Sequence, residues 1–407
     1  MGFYYLLLRF WMHLGQSEFV IRLFSVVAAV ASVVALYGLG KRLLGAQSGL
    51  IAALLLTLNA FHVRYSQEAR SYTLLLFLTI LSSHFFIDAL EFPTARKWRL
   101  FIMATVCAFY THFFAVLVLA AQFISLIFLP REAIPKNQLK RSGAWIAALC
   151  TPGILFLLLK RQGQLNWIPA PTPASFYDFL LLLTGQNGVL LLLSYAAVYG
   201  LAFIRADRPE RWKNWFLANW LIVPTAILLI VSFWKPLFSP RYGTMALPPL
   251  TLLASAGLRE LRPAWRICAL ILLMVLSALG VRNYYSEISA QHEGWRELAD
   301  FVLAHSAPGD QLILDNGLGR AIFEYYRGEA EWPHVLFPSH GARITYRDFE
   351  GLATPSVVTA AERYPRVWLI IWKDDVALEA LLSARFQRIE EKRIPRVKAQ
   401  LYVKPSK

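Results

Sequence analysis

Long apolar runs constrain this chain most, because each is close to the ~20 residues that carry an α-helix across a hydrocarbon layer. Phe24 to Leu39, Phe114 to Leu129 and Leu217 to Phe233 are examples, and such runs recur as far as Val281. Helices and closed barrels are the only structures that satisfy every backbone group in lipid. The length of the runs selects helices. The pattern predicts ten spans, at 18–40, 48–63, 71–90, 98–111, 113–130, 142–160, 186–204, 214–233, 242–258 and 264–281. Composition agrees: 57% of residues are hydrophobic and 16% charged, against about half and a quarter in soluble proteins.

Ten spans place the intervening loops on alternate sides. One set carries Lys41, Arg42, Arg96, Lys97, Arg99, Arg131, Lys136, Lys140, Arg141, Arg205, Arg208, Arg211, Lys213, Arg259, Arg262 and Arg266; the other carries only Arg64, Arg70, Lys160, Arg161, Lys235 and Arg241. Sixteen cations against six put the first set in the cytoplasm and both chain termini outside. The net charge of +15 therefore reflects topology. No basic stripe or tail marks a nucleic-acid partner.

Residues 1–17 are too short and too interrupted to span, and their aromatics suit an interfacial helix lying along the outer membrane surface. Residues 18–282 form the transmembrane bundle, and Phe176 to Leu183 reads as a second amphipathic stretch in an outer loop. Pro152, Pro224, Pro248 and Pro249 are expected to kink or end helices. From residue 283 to 407 the pattern becomes that of a small soluble α/β domain on the outer side. A helix is expected over Trp295 to His305 and strands over Gln311 to Leu314 and Val367 to Trp372, with helices near Ala321 to Tyr326 and Ala377 to Ala384. Its Asp374-Asp375 pair follows a strand end, where a turn carboxylate is common. The cysteines, Cys107, Cys150 and Cys268, lie within apolar runs and are expected to be buried, with no spacing suited to zinc.

Ionisable groups at membrane depth are costly, so those near the outer lip point to function. In His62-Val-Arg-Tyr-Ser-Gln-Glu-Ala-Arg-Ser-Tyr-Thr73, a helix starting near Tyr65 would align Tyr65, Glu68 and Tyr72 on one face, with Arg64 four residues before Glu68. Such a set can orient a hydroxylated acceptor while Arg64 and Arg70 grip an anionic headgroup. It is equally readable as a solvated helix start. A second outer loop, Ser232 to Gly243, presents Lys235, Arg241 and Tyr242 among aromatics, which suits a lipid phosphate whose chain enters the bilayer. Aromatic anchoring with snorkelling cations is the simpler alternative. His112, in the turn Tyr110-Thr-His-Phe-Phe114, is a polar site group, a metal ligand or a structural hydrogen-bonding residue.

Taken together, YSQEARSYTL, SPRYGTMALPPL, the opening FYYLLLRFWMHLGQSEFVIRLFS and THFFAVLVLAAQ resemble bacterial polyprenyl-phosphate-dependent glycosyltransferases of GT-C fold, relatives of the protein O-mannosyltransferases and of the aminoarabinose transferase acting on lipid A. The resemblance covers residues 3–281, and the segment from Gly294 to Val302 looks like the start of the extracytoplasmic domain of such proteins. It implies an inverting hexosyl- or pentosyltransferase of the bacterial cell envelope, in the cytoplasmic (inner) membrane. The implied partners are a polyprenyl-phosphate sugar donor, membrane lipid, and an acceptor that is a glycan, a lipid or a protein. Mapped onto this chain, Glu68, Tyr65 and His112 would serve the acceptor side, and Arg64, Arg70, Lys235, Arg241 and Tyr242 the lipid phosphate. The fold admits a divalent metal, although no ligand set here claims one and no other cofactor is implied. The family's leading acid belongs to a first outer loop upstream of the stretch at which this chain opens. The expectation is thus a shortened relative lacking that acid, with a lipid-linked sugar flippase and a non-catalytic remnant as the competing readings.

Overall fold

A computed structural model describes residues 2–159, 168–204, 208–290, 294–315, 317–337, 355–372 and 376–405. The chain divides into two compact units, Met1–Tyr284 and Tyr285–Lys407. The first is a helical bundle and the second a small α/β unit. Lys160, Arg161, Arg205 and the Asp374-Asp375 pair lie outside the described residues.

The bundle opens with α1 (Gly2–Trp11), followed by α2 (Glu18–Leu44), α3 (Ala46–Thr57), α4 (Ala60–Ser66), α5 (Tyr72–Glu91), α6 (Ala95–Thr111) and α7 (Ala115–Ser125). It continues with α8 (Lys136–Leu159), α9 (Pro173–Thr184), α10 (Gly188–Ile204), α11 (Arg208–Ser232), α12 (Leu247–Arg259) and α13 (Pro263–Ala290). Local chemistry sets the boundaries. Ser17 caps α2 by accepting from Val20 N, and Glu18 in the first turn with Lys41 and Arg42 in the last complement the helix dipole. A Cβ on Gly40 would stand 2.6 Å from the Gly49 Cα, so only glycine lets α2 and α3 cross this closely. Inside α8 and α11, Pro152 and Pro224 are tolerated within continuous helix. Pro248 and Pro249 sit in the first turn of α12 and start the helix, because first-turn N–H groups need no intrahelical partner.

A helix stands at each of the ten expected positions, but not all ten are full spans. Among the described residues five helices are long and apolar enough to cross, and two bent pairs, α3 with α4 at 64° and α9 with α10 at 73°, bring the number to seven. The other three, α6, α7 and α12, have 17, 11 and 13 residues. At ~1.5 Å per residue these fall short of a ~30 Å hydrocarbon core. Hydropathy sees an apolar run, whereas the Thr94 cap, the turn at His112 and the paired prolines decide where helix begins and ends. The cysteines also depart from expectation: Cys150 is buried, Cys107 partly buried and Cys268 exposed. Cys268 lies on α13, a helix whose exposed face carries Ile267, Ile271 and Leu272, so an apolar thiol there needs no core.

The two ends of the bundle are chemically distinct. At one, Arg42 pairs with Asp88 at 3.2 Å and with Glu91, and Lys97 lies 3.5 Å from Asp88. At the same end Lys213 Nζ donates to Leu43 O at 2.8 Å and Arg259 Nη1 to Leu44 O at 3.2 Å. These residues come from the cation-rich set of loops. At the other end the segments around residues 59–72, 112–114, 183–187 and 238–243 meet through Asn59, His112 and Tyr242.

In the second unit a five-stranded sheet runs in the order β2-β1-β3-β5-β4. Its strands are β1 (Gln311–Leu314), β2 (His334–Phe337), β3 (Arg366–Trp372), β4 (Gln387–Ile394) and β5 (Val397–Val403). β1 is parallel to β2 and β3, while β5 is antiparallel to β3 and β4. The two-residue strand period splits the core. Leu312, Leu314, Trp368 and Ile370 pack with Trp295, Leu298 and Phe323 on one face, and Ile313, Val367, Leu369 and Ile371 with Val358, Leu378 and Leu382 on the other. Buried Asp310 accepts from Arg366 Nε at 2.8 Å and Trp368 Nε1 at 3.1 Å, fixing the start of β1 against β3. The β4–β5 hairpin was not evident from the sequence, because Arg388, Glu390, Glu391, Lys392 and Arg393 give the edge strand a charged, non-alternating pattern.

Candidate functional site

Three connections of the bundle converge at the end opposite the Arg42 cluster. The first joins α4 to α5. Asn59 caps α4 by accepting from His62 N at 3.0 Å and, through Nδ2, donates to Leu183 O at the end of α9 at 2.9 Å. The expected helix running through Glu68 does not form: α4 ends at Ser66, and the chain turns before α5 starts at Tyr72. The turn is closed by Gln67 N donating to Arg64 O at 3.2 Å and Arg70 N to Glu68 O at 2.7 Å. Glu68 is therefore a loop residue, not a member of a helix face. Its two carboxylate oxygens lie 3.9 Å from Arg64 Nε and 3.9 Å from Arg70 Nε, with all three side chains about half exposed. Tyr65 and Tyr72 still meet across the turn, edge to face with centroids 4.9 Å apart.

The second connection is the turn at His112. This side chain is 5% exposed, and burial pushes its imidazole down to about 3. Phe114 N donates to Nδ1 at 3.3 Å, so the neutral ring carries its proton on Nε2. Nε2 is buried with no hydrogen-bond partner. Such an orphaned donor costs about 1–3 kcal/mol unless something accepts from it. The ring lies between Tyr72, Phe114 and Tyr242, at centroid distances of 6.2, 5.1 and 5.2 Å.

The third connection links α11 to α12. The Ser232 hydroxyl donates to Leu228 O at 2.7 Å and accepts from Leu237 N at 3.0 Å and Phe238 N at 2.7 Å, which folds the chain back over the end of α11. A 3₁₀ turn, Pro240–Ala246, then carries Arg241 and Tyr242. Arg241 Nε donates to Ser239 Oγ at 3.1 Å, and its charge reaches both Tyr65 and Tyr242. Burial raises the Tyr242 phenol, with Tyr72 adding to the effect and Arg241 and Arg70 opposing it. Gly243 is required here, since a Cβ would stand 2.2 Å from Phe179 Cε2 of α9.

Of the eight residues the sequence singled out, seven are gathered here: Arg64, Tyr65, Glu68, Arg70, His112, Arg241 and Tyr242. The eighth, Lys235, is exposed in the turn after α11. Sequence reasoning missed Asn59, Ser232 and Gly243, which position the site. Asn before a helix and Ser after one are readable as caps, but the contact that demands Gly243 depends on α9 and has no local signal. Helix α1 also belongs to this end: Tyr4 Oη lies 2.9 Å from Ser25 Oγ, which donates to Arg70 O at 3.5 Å.

Among the described residues no group of three His, Cys, Asp or Glu side chains could hold a metal ion. The one carboxylate of the cluster lies between two guanidinium groups, a poor setting for a cation.

The architecture is the GT-C fold, a helical membrane bundle followed by a small α/β unit. Residues 2–156 match the family model described as dolichyl-phosphate-mannose-protein mannosyltransferase. The fold is similar to ArnT from Cupriavidus metallidurans, with a TM-score of 0.66 to its apo structure at 12% identity, covering 98% of this chain and 87% of that one. The undecaprenyl-phosphate-bound structure of ArnT gives 0.64 at 12% identity, with the same coverages. The arabinofuranosyltransferase AftD from Mycobacteria gives 0.50 at 16% identity, over 94% of this chain and 35% of that one. No curated protein matches by sequence.

Proposed function

We propose that this protein transfers a glycosyl unit from a polyprenyl-phosphate carrier to an acceptor hydroxyl at the outer face of the cytoplasmic membrane. The observation that carries the reading is the convergence of three separate connections, which brings Arg64, Arg70, Arg241, Glu68 and the His112 Nε2–H to one end of the bundle. Three guanidinium groups against one carboxylate leave an excess of positive charge beside a wall formed by Tyr65, Tyr72, Phe114 and Tyr242. That is the chemistry of a lipid phosphate site, with fixed cations for the headgroup and apolar surface where the chain leaves it. The ArnT structure holding undecaprenyl phosphate supports the donor class.

In the reaction the acceptor oxygen attacks the anomeric carbon, the bond from that carbon to the phosphate oxygen breaks, and the polyprenyl phosphate departs. Glu68 takes the hydroxyl proton. Arg64, Arg70 and Arg241, with His112 donating from Nε2, stabilise the charge that develops on the departing phosphate, the kind of electrostatic assistance worth about 10²–10³ in rate per group. The 3.9 Å contacts of Glu68 with its two arginines are loose enough to exchange: when phosphate engages the guanidiniums, the carboxylate is released toward the acceptor. Tyr65 borders the acceptor side. The site lies outside because the cation-rich loops meet at the opposite end.

A flippase needs an ionisable group free to follow its cargo through the bundle. Asp88, in the last turn of α5, is held by Arg42 and Lys97, which favours the transferase. The test is transfer of radiolabelled sugar from a synthetic polyprenyl-phosphate donor in membranes, comparing wild type with Glu68→Gln and Arg241→Ala. Loss in both variants is expected, and equal transfer in all three would remove the site assignment.

A further inference from the structure

A cleft lies at the other end of the bundle, between α6 and α8. Both helices begin at that end. Toward the opposite end they close on each other: a Cβ on Gly153 would stand 2.8 Å from Phe109 Cε1, and Tyr110 Oη donates to Leu149 O at 2.8 Å. Toward their starts they part and leave a cleft of about 650 Å³, lined by Trp98, Arg99, Met103, Arg141, Trp145 and Leu149 among others.

The lining has a polarity gradient. Arg99 and Arg141 stand in the opening turns of the two helices, while Met103 and Leu149, farther along, are apolar and exposed, at 61% and 45%. Among the described residues no acidic side chain lines the cleft. Unlike Arg42 and Lys97 nearby, neither arginine has an ion pair among the described residues; Arg99 Nε donates only to Ala95 O at 3.3 Å. Trp98 lines the cleft yet is only 4% exposed, so its ring belongs to the wall and not to the open slot.

We propose that this cleft binds an anionic phospholipid from the leaflet at that end, its phosphate between Arg99 and Arg141 and an acyl chain along Met103 and Leu149. The charge pattern selects the occupant: two unpaired guanidiniums over an apolar slot fit a diacyl lipid with a net negative headgroup and give a zwitterionic one no advantage. The site is independent of the sugar-transfer reading, since it draws on none of the same residues.

Native mass spectrometry of the delipidated full-length protein, titrated with phosphatidylglycerol or phosphatidylcholine of the same chains, tests it. Wild type should bind phosphatidylglycerol more tightly, and Arg99→Gln with Arg141→Gln should weaken that binding by about thirtyfold, which corresponds to roughly 2 kcal/mol, with phosphatidylcholine binding unchanged. Arg96→Gln, a charge loss at the same end outside the cleft, should behave as wild type. Leu149→Trp, which fills the apolar slot and keeps both cations, should weaken binding of both lipids. Equal binding of the two lipids by wild type, full retention of phosphatidylglycerol by the double variant, an Arg96→Gln loss as large as the double variant's, or displacement of the lipid by equimolar glycerol phosphate would each overturn the proposal.

Discussion

Two ionic clusters, one at each end of the bundle, use cations in opposite ways. Around Arg42 they are consumed: two carboxylates answer Arg42, one of them also answers Lys97, and backbone carbonyls take up Lys213 and Arg259. Around Glu68 one carboxylate stands 3.9 Å from each of two arginines, and a buried imidazole N–H has nothing to donate to. Unanswered polar groups in a folded protein cost stability, and the buried His112 N–H is one that a ligand at the proposed transfer site would answer. The same contrast separates the candidate transfer site from a structural ion cluster that composition alone would rank equally.

Breaking the comparison from the site side gives the largest effect. Arg241→Ala should lower transfer by about 10²-fold or more while the thermal unfolding temperature stays near that of wild type, measured on the same membranes and on purified protein. Glu68→Gln should follow, with about 10²–10⁴-fold lower transfer if it is the base; a small loss would demote it to orienting the arginines. From the packing side, Gly243→Ala should destabilise by about 1–3 kcal/mol through the clash with Phe179, read as a lowered unfolding temperature. Arg42→Ala should cost about 1–3 kcal/mol by leaving Glu91 unanswered and Asp88 with Lys97 alone, with transfer per folded molecule unchanged. If Arg42→Ala abolished transfer in a stable protein, the division between the two ends would fail.

The last effect concerns pH. His112 is held near 3 when folded against about 6.5 unfolded. The unfolded chain therefore binds the extra proton between these values, and stability is full above about 6.5 and falls toward about 3, at up to ~1.4 kcal/mol per pH unit. His112→Gln should flatten the decline of unfolding temperature below pH 6.5, and an unchanged slope would show that His112 is not so buried.

Much of this was legible in the sequence, for physical reasons that differ by element. Apolar length gave the ten helix positions, and cation asymmetry separated the two groups of loops that the structure brings together at opposite ends. Helix continuity through Glu68 was not legible. The i, i+3, i+7 spacing of Tyr65, Glu68 and Tyr72 fits a helix, yet the Asn59 cap starts one early, and two short hydrogen-bonded turns end it before Glu68. The three short helices were overread as spans because hydropathy does not register where caps and prolines cut a run. The tie between Asn59 and Leu183 joins residues 124 apart in sequence, and no local pattern encodes it.

Helix α9 touches both arms of the site, holding Asn59 through Leu183 O and bearing on Gly243 through Phe179. A change in it is therefore felt by the Glu68 turn and the Arg241 turn together. Substitutions at Asn59 and Phe179, though on different helices, should fail to add in a thermodynamic cycle, because each loosens a strut that the other also leans on.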